Sequence, residues 1–277
     1  MSLRVTTNVP SLNAQKTLGS VTRGLEKSYA QLSSGSRITK AADDAAGLSI
    51  SETLKSTIRG FGQAKRNADD GISMVQVAEG GLNEISNMMS RLKELAVQSA
   101  SDTIGDQERG FIDLETQQLK NEIQRIAETT RFGSIKMLDG SGDTYDFQVD
   151  INNDDFADRI KFDAGAQNVQ LDALGIDSLA FDTKEGAQEA LETLETSQVQ
   201  VNGQRATLGA LQNRLVSTIE NLSTSVENFS AANSRIRDTD IGASSAELAR
   251  NQVLQQASVG VLAQANQSTA VALKLIG

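Results

Sequence analysis

Three residue types that often carry chemistry are missing from this chain. Its 277 residues include no cysteine, no histidine and no tryptophan. The chain therefore has no thiol nucleophile, no imidazole base and no zinc site built from nitrogen and sulfur ligands. Disulfides are impossible as well, so cysteine usage indicates no compartment. These absences argue against an enzyme, and we expect no catalytic residues.

Charge and hydropathy disfavour two further classes of partner. The formal net charge is −10, which argues against a surface that binds nucleic acid or an anionic membrane. No apolar run is long enough to span a bilayer. The N-terminal residues also lack the apolar region of a cleaved secretory signal. A cytosolic protein is the default expectation, unless an export route exists that needs no such signal.

Proline and aromatic residues are scarce, and this scarcity favours long helices over a wide globular core. Proline, which breaks helix interiors, occurs once, as Pro10. Aromatic side chains make up 4% of the chain, so small aliphatic side chains must do most of the packing.

Apolar residues recur every three or four positions from Ile50 to Leu95, with a mean step of about 3.5 residues, the period of a coiled-coil seam. A helix of roughly 50 residues would be about 75 Å long. Glycines inside it are costly, and we interpret them as points where another chain segment packs closely. These glycines are Gly60, Gly62, Gly71, Gly80 and Gly81. The alternative is that the helix breaks at Gly80–Gly81.

A turn at Ser99–Gln107 separates this helix from a second one, and the short connection makes the two antiparallel. Helical periodicity returns near Thr183 and continues to Ile236, which predicts another long helix able to pair with the first. Between these helices, Tyr145–Ile151 and Arg159–Phe162 alternate apolar and polar side chains. This alternation predicts a small β-hairpin in an acidic segment that faces water.

Both chain ends carry weaker helical seams, over residues 11–32 and 246–276. The last 27 residues contain a single charged side chain, Lys274. Isolated helices are marginal in water because nucleation is costly. We therefore expect the two ends to fold only against each other or against other copies of the chain.

The acidic motifs fit local structure better than ion binding. Asp43 and Asp44 follow a glycine, an arginine and a lysine, but the phosphate-loop pattern lacks its second glycine. Adjacent aspartates diverge on a helix, so capping of the following helix is the expected role of either one. The run Asp150–Asp155 begins like a calcium loop, but Asp155 and Lys161 stand where glycine and a bidentate glutamate are needed. We expect no metal site and no cofactor.

Four longer motifs resemble those of bacterial flagellin. They are LSSGSRITKAADDAAG (Leu32–Gly47), RNADDGISMVQVAEGGLNEI (Arg66–Ile85), RLKELAVQSA (Arg91–Ala100) and VLQQASVGVLAQANQ (Val253–Gln267). The resemblance covers roughly residues 1–140 and 190–277. It implies export without a cleaved leader, through the flagellar export apparatus. Only about fifty residues separate the two matching halves, so the chain resembles a short flagellin that lacks large outer domains.

The resemblance implies a fold that agrees with the periodicity. The fold class expected is mainly α: an elongated antiparallel long-helix bundle or coiled coil, with a small β-hairpin element and with the N- and C-terminal helices paired. Residues 1–45 and 237–277 would form a terminal helical core domain. Residues 46–236 would form an outer helical rod domain, including a β-hairpin segment at about 138–182. Asp43 and Asp44 would lie in the spoke that joins the two.

The resemblance also implies a function. The chain would be a structural subunit that polymerises into the extracellular flagellar filament for swimming motility. A hook–filament junction-type protein or a minor flagellin-like protein is the alternative. Family members with peptidase inserts carry a zinc motif, and this chain has no histidine.

The partners implied are other copies of the chain, a flagellin export chaperone, the export apparatus, and the filament cap and hook-junction proteins. The resemblance also suggests the vertebrate Toll-like receptor for flagellin, contacted through Arg91, Leu95 and Glu115. The alternative is a purely structural role, because Leu95 falls on the helical seam and Arg91 and Glu115 could simply pair as surface charges. The segment expected to serve the chaperone and polymerisation comprises Leu254, Val261, Leu262, Leu273, Leu275 and Ile276.

Overall fold

The computed structural model describes the backbone of residues 7–276 and the side chains of residues 7–267. The helices are α1 (Val9–Ser34), α2 (Ala45–Ser99), α3 (Asp106–Thr129), α4 (Leu171–Leu174), α5 (Lys184–Arg237) and α6 (Ile241–Ile276). The strands are β1 (Arg131–Phe132), β2 (Ile135–Lys136), β3 (Thr144–Gln148) and β4 (Arg159–Asp163). The prediction of a mainly helical fold with a small β-hairpin element is confirmed.

The chain forms two compact units. The first, here called the terminal unit, contains residues 1–56 and 228–277, and the second, the middle unit, contains residues 57–227. The helices α2 and α5 each contribute to both units.

The core of the middle unit lies between α2, α3 and α5. Its fully buried side chains include Leu82 and Leu92 of α2, Ile123 of α3 and Leu208 of α5. The two long helices are antiparallel here, because Lys65 contacts Ser223 near one end and Ser86 contacts Gln198 near the other. The apolar seam thus packs as predicted. Gln198 of α5 donates a hydrogen bond of 2.9 Å to Ser86 Oγ of α2.

The segment between α3 and α5 contains the expected β-hairpin. Strand β3 pairs antiparallel with β4, from Thr144 opposite Asp163 to Gln148 opposite Arg159. Ile160 and Phe162 are buried while Lys161 between them is exposed, which matches the alternation in the sequence. The β1–β2 pair was not predicted, because strands of two residues are too short to show a period.

The helix α2 continues through Gly80–Gly81 without a break, and its glycines fall into two classes. A methyl group added at Gly60 would meet Ile151, and one at Gly71 would meet the ring of Phe147. One at Gly81 would lie 2.7 Å from Leu138 Cδ1 and 2.8 Å from Thr130 Oγ1. These three glycines are the close-packing points that the sequence predicted. Gly62 and Gly80 have nothing within 4 Å, so that interpretation is wrong for them.

Neighbouring glycines therefore predict opposite effects on stability. Gly81→Ala should lower the free energy of unfolding, because overpacking costs about 1–3 kcal/mol and exceeds the gain in helix propensity. Gly80→Ala should raise it by up to about 1 kcal/mol, since alanine is the better helix former and the space is open. Guanidinium unfolding of the two variants measures both. Equal shifts of the same sign would show that Gly81 is not a packing point.

In the terminal unit the long helices α2 and α5 meet through polar contacts. Ser51 Oγ lies 2.8 Å from Asn233 Oδ1, and Arg237 forms an ion pair with Glu52. Ile50, which was placed on the apolar seam, is 53% exposed. That part of the prediction is wrong, because the apolar packing that buries the seam begins further along α2, at Phe61. Among the described residues, no helix has the length and apolar character needed to cross a bilayer.

Candidate functional site

The helices α1 and α6 pair through side chains near the two ends of their contact. Asn8 Nδ2 donates to the carbonyl oxygen of Ala265 at 2.8 Å. Further along, Gln252 Nε2 donates to the hydroxyl of Tyr29 at 3.1 Å. Gly24 of α1 faces Asn251, whose amide would be 3.1 Å from a methyl group placed there. The chain ends therefore pack against each other through polar and small residues.

Among the residues described in the terminal unit, more large apolar side chains are exposed than apolar side chains are buried. The buried apolar residues described in it are Ala14, Leu25, Ile38 and Ala265. Its exposed large apolar side chains are Val9, Leu12, Tyr29, Ile50, Ile241, Val253, Leu254, Val259 and Val261. A unit of this kind cannot bury its own apolar side chains within one copy.

The exposed apolar residues of α6 lie on more than one face. Leu254 and Val261 line a groove of 330 Å³ between α1 and α6, together with Pro10 and Ala14. Val259 is five residues from Leu254 and therefore about 140° away around the helix. A helix with apolar residues all round is typical of a buried position.

The predicted chaperone and polymerisation segment is only partly described. Leu254 and Val261 are exposed, and Leu262 is half-buried. The side chains of Leu273, Leu275 and Ile276 lie outside the described residues.

The loop between α1 and α2 is tied to the start of α6. Gly35 ends α1 in the left-handed conformation, with φ of 67°. Its carbonyl oxygen accepts a hydrogen bond of 3.0 Å from Thr239 N. The guanidinium of Arg37 donates to the carbonyl oxygen of Ile236 at 2.8 Å. The arginine side chain thus caps the C-terminal end of α5.

The two adjacent aspartates of this loop have different contacts. Asp44 Oδ1 accepts a hydrogen bond of 2.8 Å from Gly47 N, in the first turn of α2. Asp43 accepts instead from the hydroxyl of Thr39 and from the backbone of Thr39 and Lys40, and it pairs with Lys27 at 3.2 Å. These hydrogen bonds, with that of the Thr39 hydroxyl the strongest, lower the pKa of Asp43 to about 2. Asp43 therefore stays ionised across the physiological range and links the loop to Lys27 of α1.

The predicted receptor contacts lie in the middle unit. Arg91 Nε donates to Glu115 Oε1 at 2.8 Å, and its Nη1 donates to Glu94 Oε2 at 2.9 Å. These hydrogen bonds, above all that to Glu115, raise the pKa of Arg91. Arg91 and Glu115 are half-exposed, whereas Leu95 is 1% exposed in the core. The structure brings the two charged residues together on the surface and places the apolar one beneath it.

Sequence reasoning missed two exposed apolar residues close to this pair. Phe111 is 65% exposed, and Leu114 on the same helix is similarly exposed. Phe111 precedes Glu115 by one turn, so the two share a face of α3. Their positions in the sequence could have indicated this exposure, because they lie off the apolar seam of α3. Ile112, not Phe111, faces the core.

Two family models match this chain. The model described as the bacterial flagellin N-terminal helical region matches residues 5–143. The model described as the bacterial flagellin C-terminal helical region matches residues 191–276. The first match includes α1 to α3, and the second includes most of α5 and all of α6.

Individual proteins are similar over nearly the whole chain. A flagellin of Halalkalibacterium halodurans is 42% identical over 271 residues, which are 97% of this chain and 98% of that protein. The flagellar filament 33 kDa core protein of Treponema phagedenis is 38% identical over 285 residues, with the same coverage of 97% and 98%. The crystal structure of Bacillus cereus flagellin matches with a TM-score of 0.51 and 28% identity, covering 61% of this chain and 94% of that one.

Two paired terminal helices and a compact helical middle unit agree with this family, and the matches leave only a short segment between the two halves. The chain therefore belongs to the bacterial flagellin family, as a short form, and it is an extracellular, structural and non-enzymatic subunit of the flagellar filament that serves motility.

Proposed function

We propose that the terminal unit is the part of this flagellin that drives polymerisation, with α1 and α6 as its interface. The observation that carries the proposal is the imbalance of apolar surface in that unit. Val253, Val259 and Val261 point into water on different faces of one helix, while few apolar residues are buried beneath them. Burying apolar surface is the dominant favourable contribution to association. Stacked copies would therefore be stabilised by burying side chains that a single copy leaves exposed.

The groove between α1 and α6 supports the same proposal. It has a volume of 330 Å³ and is lined mainly by small or apolar residues, among them Ala14, Leu254 and Val261. A neighbouring copy carries apolar side chains of matching character on the other faces of its own α6. Contact between different surfaces of identical chains generates an open helical polymer.

A carboxylate placed in this groove should prevent assembly. Val261→Asp should abolish polymerisation, because an unpaired charge buried between subunits costs several kcal/mol. Seeded polymerisation followed by light scattering and negative-stain microscopy measures the effect. The monomer should keep its thermal transition, since Val261 is 60% exposed before assembly.

The matched control is Val199→Asp, the same change at a valine of α5 that is 67% exposed in the middle unit. This variant should still form long filaments. Equal loss of assembly in both variants would show that the groove has no special role.

We further propose that an export chaperone holds α6 before polymerisation. Leu254 and Val261 are exposed in the single copy, and an apolar helix face of this kind suits binding in a groove of a partner protein. The same side chains would serve first the chaperone and then the filament. Leu262 and the undescribed Leu273, Leu275 and Ile276 would extend this face.

Isothermal calorimetry tests the chaperone proposal. A peptide of residues 237–277 should bind the chaperone, and the full-length chain should bind with similar affinity. A chain that ends at residue 245 should show at least a hundredfold weaker binding, because the apolar face is gone. Equal affinity of the full-length and shortened chains would place the binding site elsewhere.

The domain roles and remaining partners stay proposals as well. Residues 1–45 and 237–277 would form the terminal core domain, and residues 46–236 the outer rod domain with its β-hairpin segment at about 138–182. The export apparatus and the cap and hook-junction proteins would engage the chain during export and assembly. Similarity to flagellins supports each of these proposals.

Arg91 and Glu115, supported by Leu95 beneath them, are proposed as the contact for a vertebrate Toll-like receptor. An arginine beside exposed apolar side chains is typical of a binding hot spot, and Phe111 and Leu114 supply that apolar surface here. In a filament, neighbouring copies would cover this face, so only the monomer should activate the receptor.

A further inference from the structure

A cavity lies between the hairpin and α5 in the middle unit. Its volume of 590 Å³ falls within the range of about 300–1,000 Å³ that is typical of ligand pockets. The β3–β4 hairpin and its loop form one wall, and one face of α5, within residues 213–222, forms the other. Both apolar and polar side chains line it. The cavity can therefore receive a small ligand that has an apolar side and a polar side.

Hydrogen bonds hold the loop of the first wall in place. Asp154 Oδ1 accepts from Phe156 N at 2.9 Å and from Ala157 N at 2.8 Å. Where the loop begins, the carbonyl oxygen of Gln148 accepts a hydrogen bond of 2.9 Å from Asn67 Nδ2 of α2. Because the loop is ordered in the single copy, little conformational entropy is lost when a ligand binds.

Phe156 presents an aromatic ring at this cavity. Its side chain is 90% exposed, more than any other large apolar side chain among the residues described, and it lines the cavity. The face of an aromatic ring is electronegative, so it attracts the weakly positive hydrogens of C–H groups. A fixed and exposed ring of this kind suits the C–H face of a saturated ring.

On the opposite wall, polar side chains of α5 lack partners in the protein. The guanidinium of Arg214 forms no hydrogen bond or ion pair with any described residue. Within the described part of the chain, the side chains of Asn213 and Ser217 also form no hydrogen bond. This wall therefore offers an uncompensated positive charge beside free hydrogen-bonding groups.

The hairpin wall carries the opposite charge in Asp150. Its Oδ1 accepts from Ile151 N at 2.7 Å, and its carboxylate forms no ion pair with any described residue. Arg159, the other basic residue of the cavity, already pairs with Asp155 at 3.3 Å. A ligand that bridges the two walls therefore needs an anionic group toward Arg214 and hydroxyl donors toward Asp150.

We propose that this cavity binds a sugar acid, a pyranose ring that carries a carboxylate. The carboxylate pairs with Arg214, whose guanidinium can donate two parallel hydrogen bonds. Ring hydroxyls donate to Asp150 and bond with Asn213 and Ser217. The C–H face of the ring lies on Phe156. A neutral sugar lacks the charge for Arg214, and an aromatic acid lacks the hydroxyls.

NMR titration of the ¹⁵N-labelled monomer tests the proposal. The probes are D-glucuronate and D-galacturonate, with D-glucose and D-galactose as their neutral counterparts and benzoate as an aromatic acid. The two sugar acids should shift the backbone signals of residues 149–160 and 213–222. They should also bind at least tenfold more tightly than the neutral sugars or benzoate.

Two results would overturn the proposal. One is the absence of shifts with either sugar acid up to its solubility limit. The other is binding of the neutral sugars or of benzoate as tight as that of the sugar acids. All lining residues lie in the middle unit and the monomer is titrated, so neither result depends on whether α1 and α6 drive polymerisation.

Arg214→Gln separates a specific contact from a general effect of charge. It should weaken binding of the sugar acids at least tenfold and leave the melting temperature unchanged, because this side chain is exposed and unpaired. The matched control is Arg131→Gln, at an exposed arginine of β1 that does not line the cavity. The control should bind as the wild-type chain does. Equal weakening in both variants would rule out the Arg214 contact.

Phe156→Ala tests the contribution of the aromatic ring. It should weaken binding of the sugar acids at least fivefold without changing the melting temperature, since the ring is exposed to water. Phe132→Ala, the same change at a phenylalanine of β1 outside the cavity, should leave the affinity unaltered. Wild-type affinity in Phe156→Ala would contradict the proposed stacking of the sugar ring.

Discussion

A chain shortened to end at residue 245 should remain a folded helical monomer and form no filaments. The truncation removes most of α6, and with it the carbonyl group of Ala265 and the amide of Gln252 that bond to α1. It also removes Leu254 and Val261, the apolar residues proposed to be covered on assembly. The core formed by Leu82, Ile123 and Leu208 lies in the other unit and is untouched.

Circular dichroism, thermal unfolding and seeded polymerisation together check this expectation. The main unfolding transition should stay within a few degrees of that of the full-length chain. Helix content should fall by more than the deleted residues contribute, because α1 without its partner is marginally stable. Seeds of wild-type filament should not elongate. Filaments of normal length from the shortened chain would contradict the role proposed for α6.

The long helices could be predicted from sequence because their apolar period persists over many turns. From Ile50 onward the apolar seam period predicted the helix α2. The absence of proline after Pro10 removed the usual reason for a break in a helix. Four of the five residue pairs of the β3–β4 ladder, from Tyr145 opposite Phe162 to Gln148 opposite Arg159, lie in the segments whose alternation predicted the hairpin. A period that persists over this many residues predicts the element correctly even where single positions depart from it.

Single positions were predicted less well, because their surroundings depend on residues far away in the chain. Whether a glycine of α2 is crowded depends on which side chain of the 130–151 segment lies against it, and no local pattern gives that information. Gly80 and Gly81 are adjacent in sequence yet differ completely in packing. The same reason explains the missed surface residues. Phe156 lies in an acidic loop, and its neighbours in the sequence do not show that its side chain is 90% exposed.

The proposed receptor contact depends both on spacing along one helix and on the packing of one helix against another. Arg91 and Leu95 are four residues apart, so the sequence places them on one helix face. The 2.8 Å contact between Arg91 and Glu115 depends on how α3 packs against α2. The depth of Leu95 in the core could not be read from spacing alone, since a seam residue at the edge of a helix face can be buried or exposed.

Arg91→Ala should lower activation of the vertebrate receptor by the monomer at least tenfold, which corresponds to about 1.4 kcal/mol of binding free energy. The melting temperature should barely change, because exposed ion pairs such as Arg91–Glu115 contribute little to stability. A reporter assay in cells that express the receptor measures activation, and calorimetric unfolding measures stability.

Arg125 provides the matched control for this experiment. Its guanidinium is exposed and pairs with Glu122 at 2.6 Å, so Arg125→Ala removes a similar surface ion pair at another place on α3. This variant should activate the receptor as the wild-type chain does. A drop in melting temperature that parallels the loss of signalling in Arg91→Ala would assign Arg91 to structure. Unchanged signalling by Arg91→Ala would exclude it from the contact, and equal losses in both variants would mean that the receptor responds to overall surface charge.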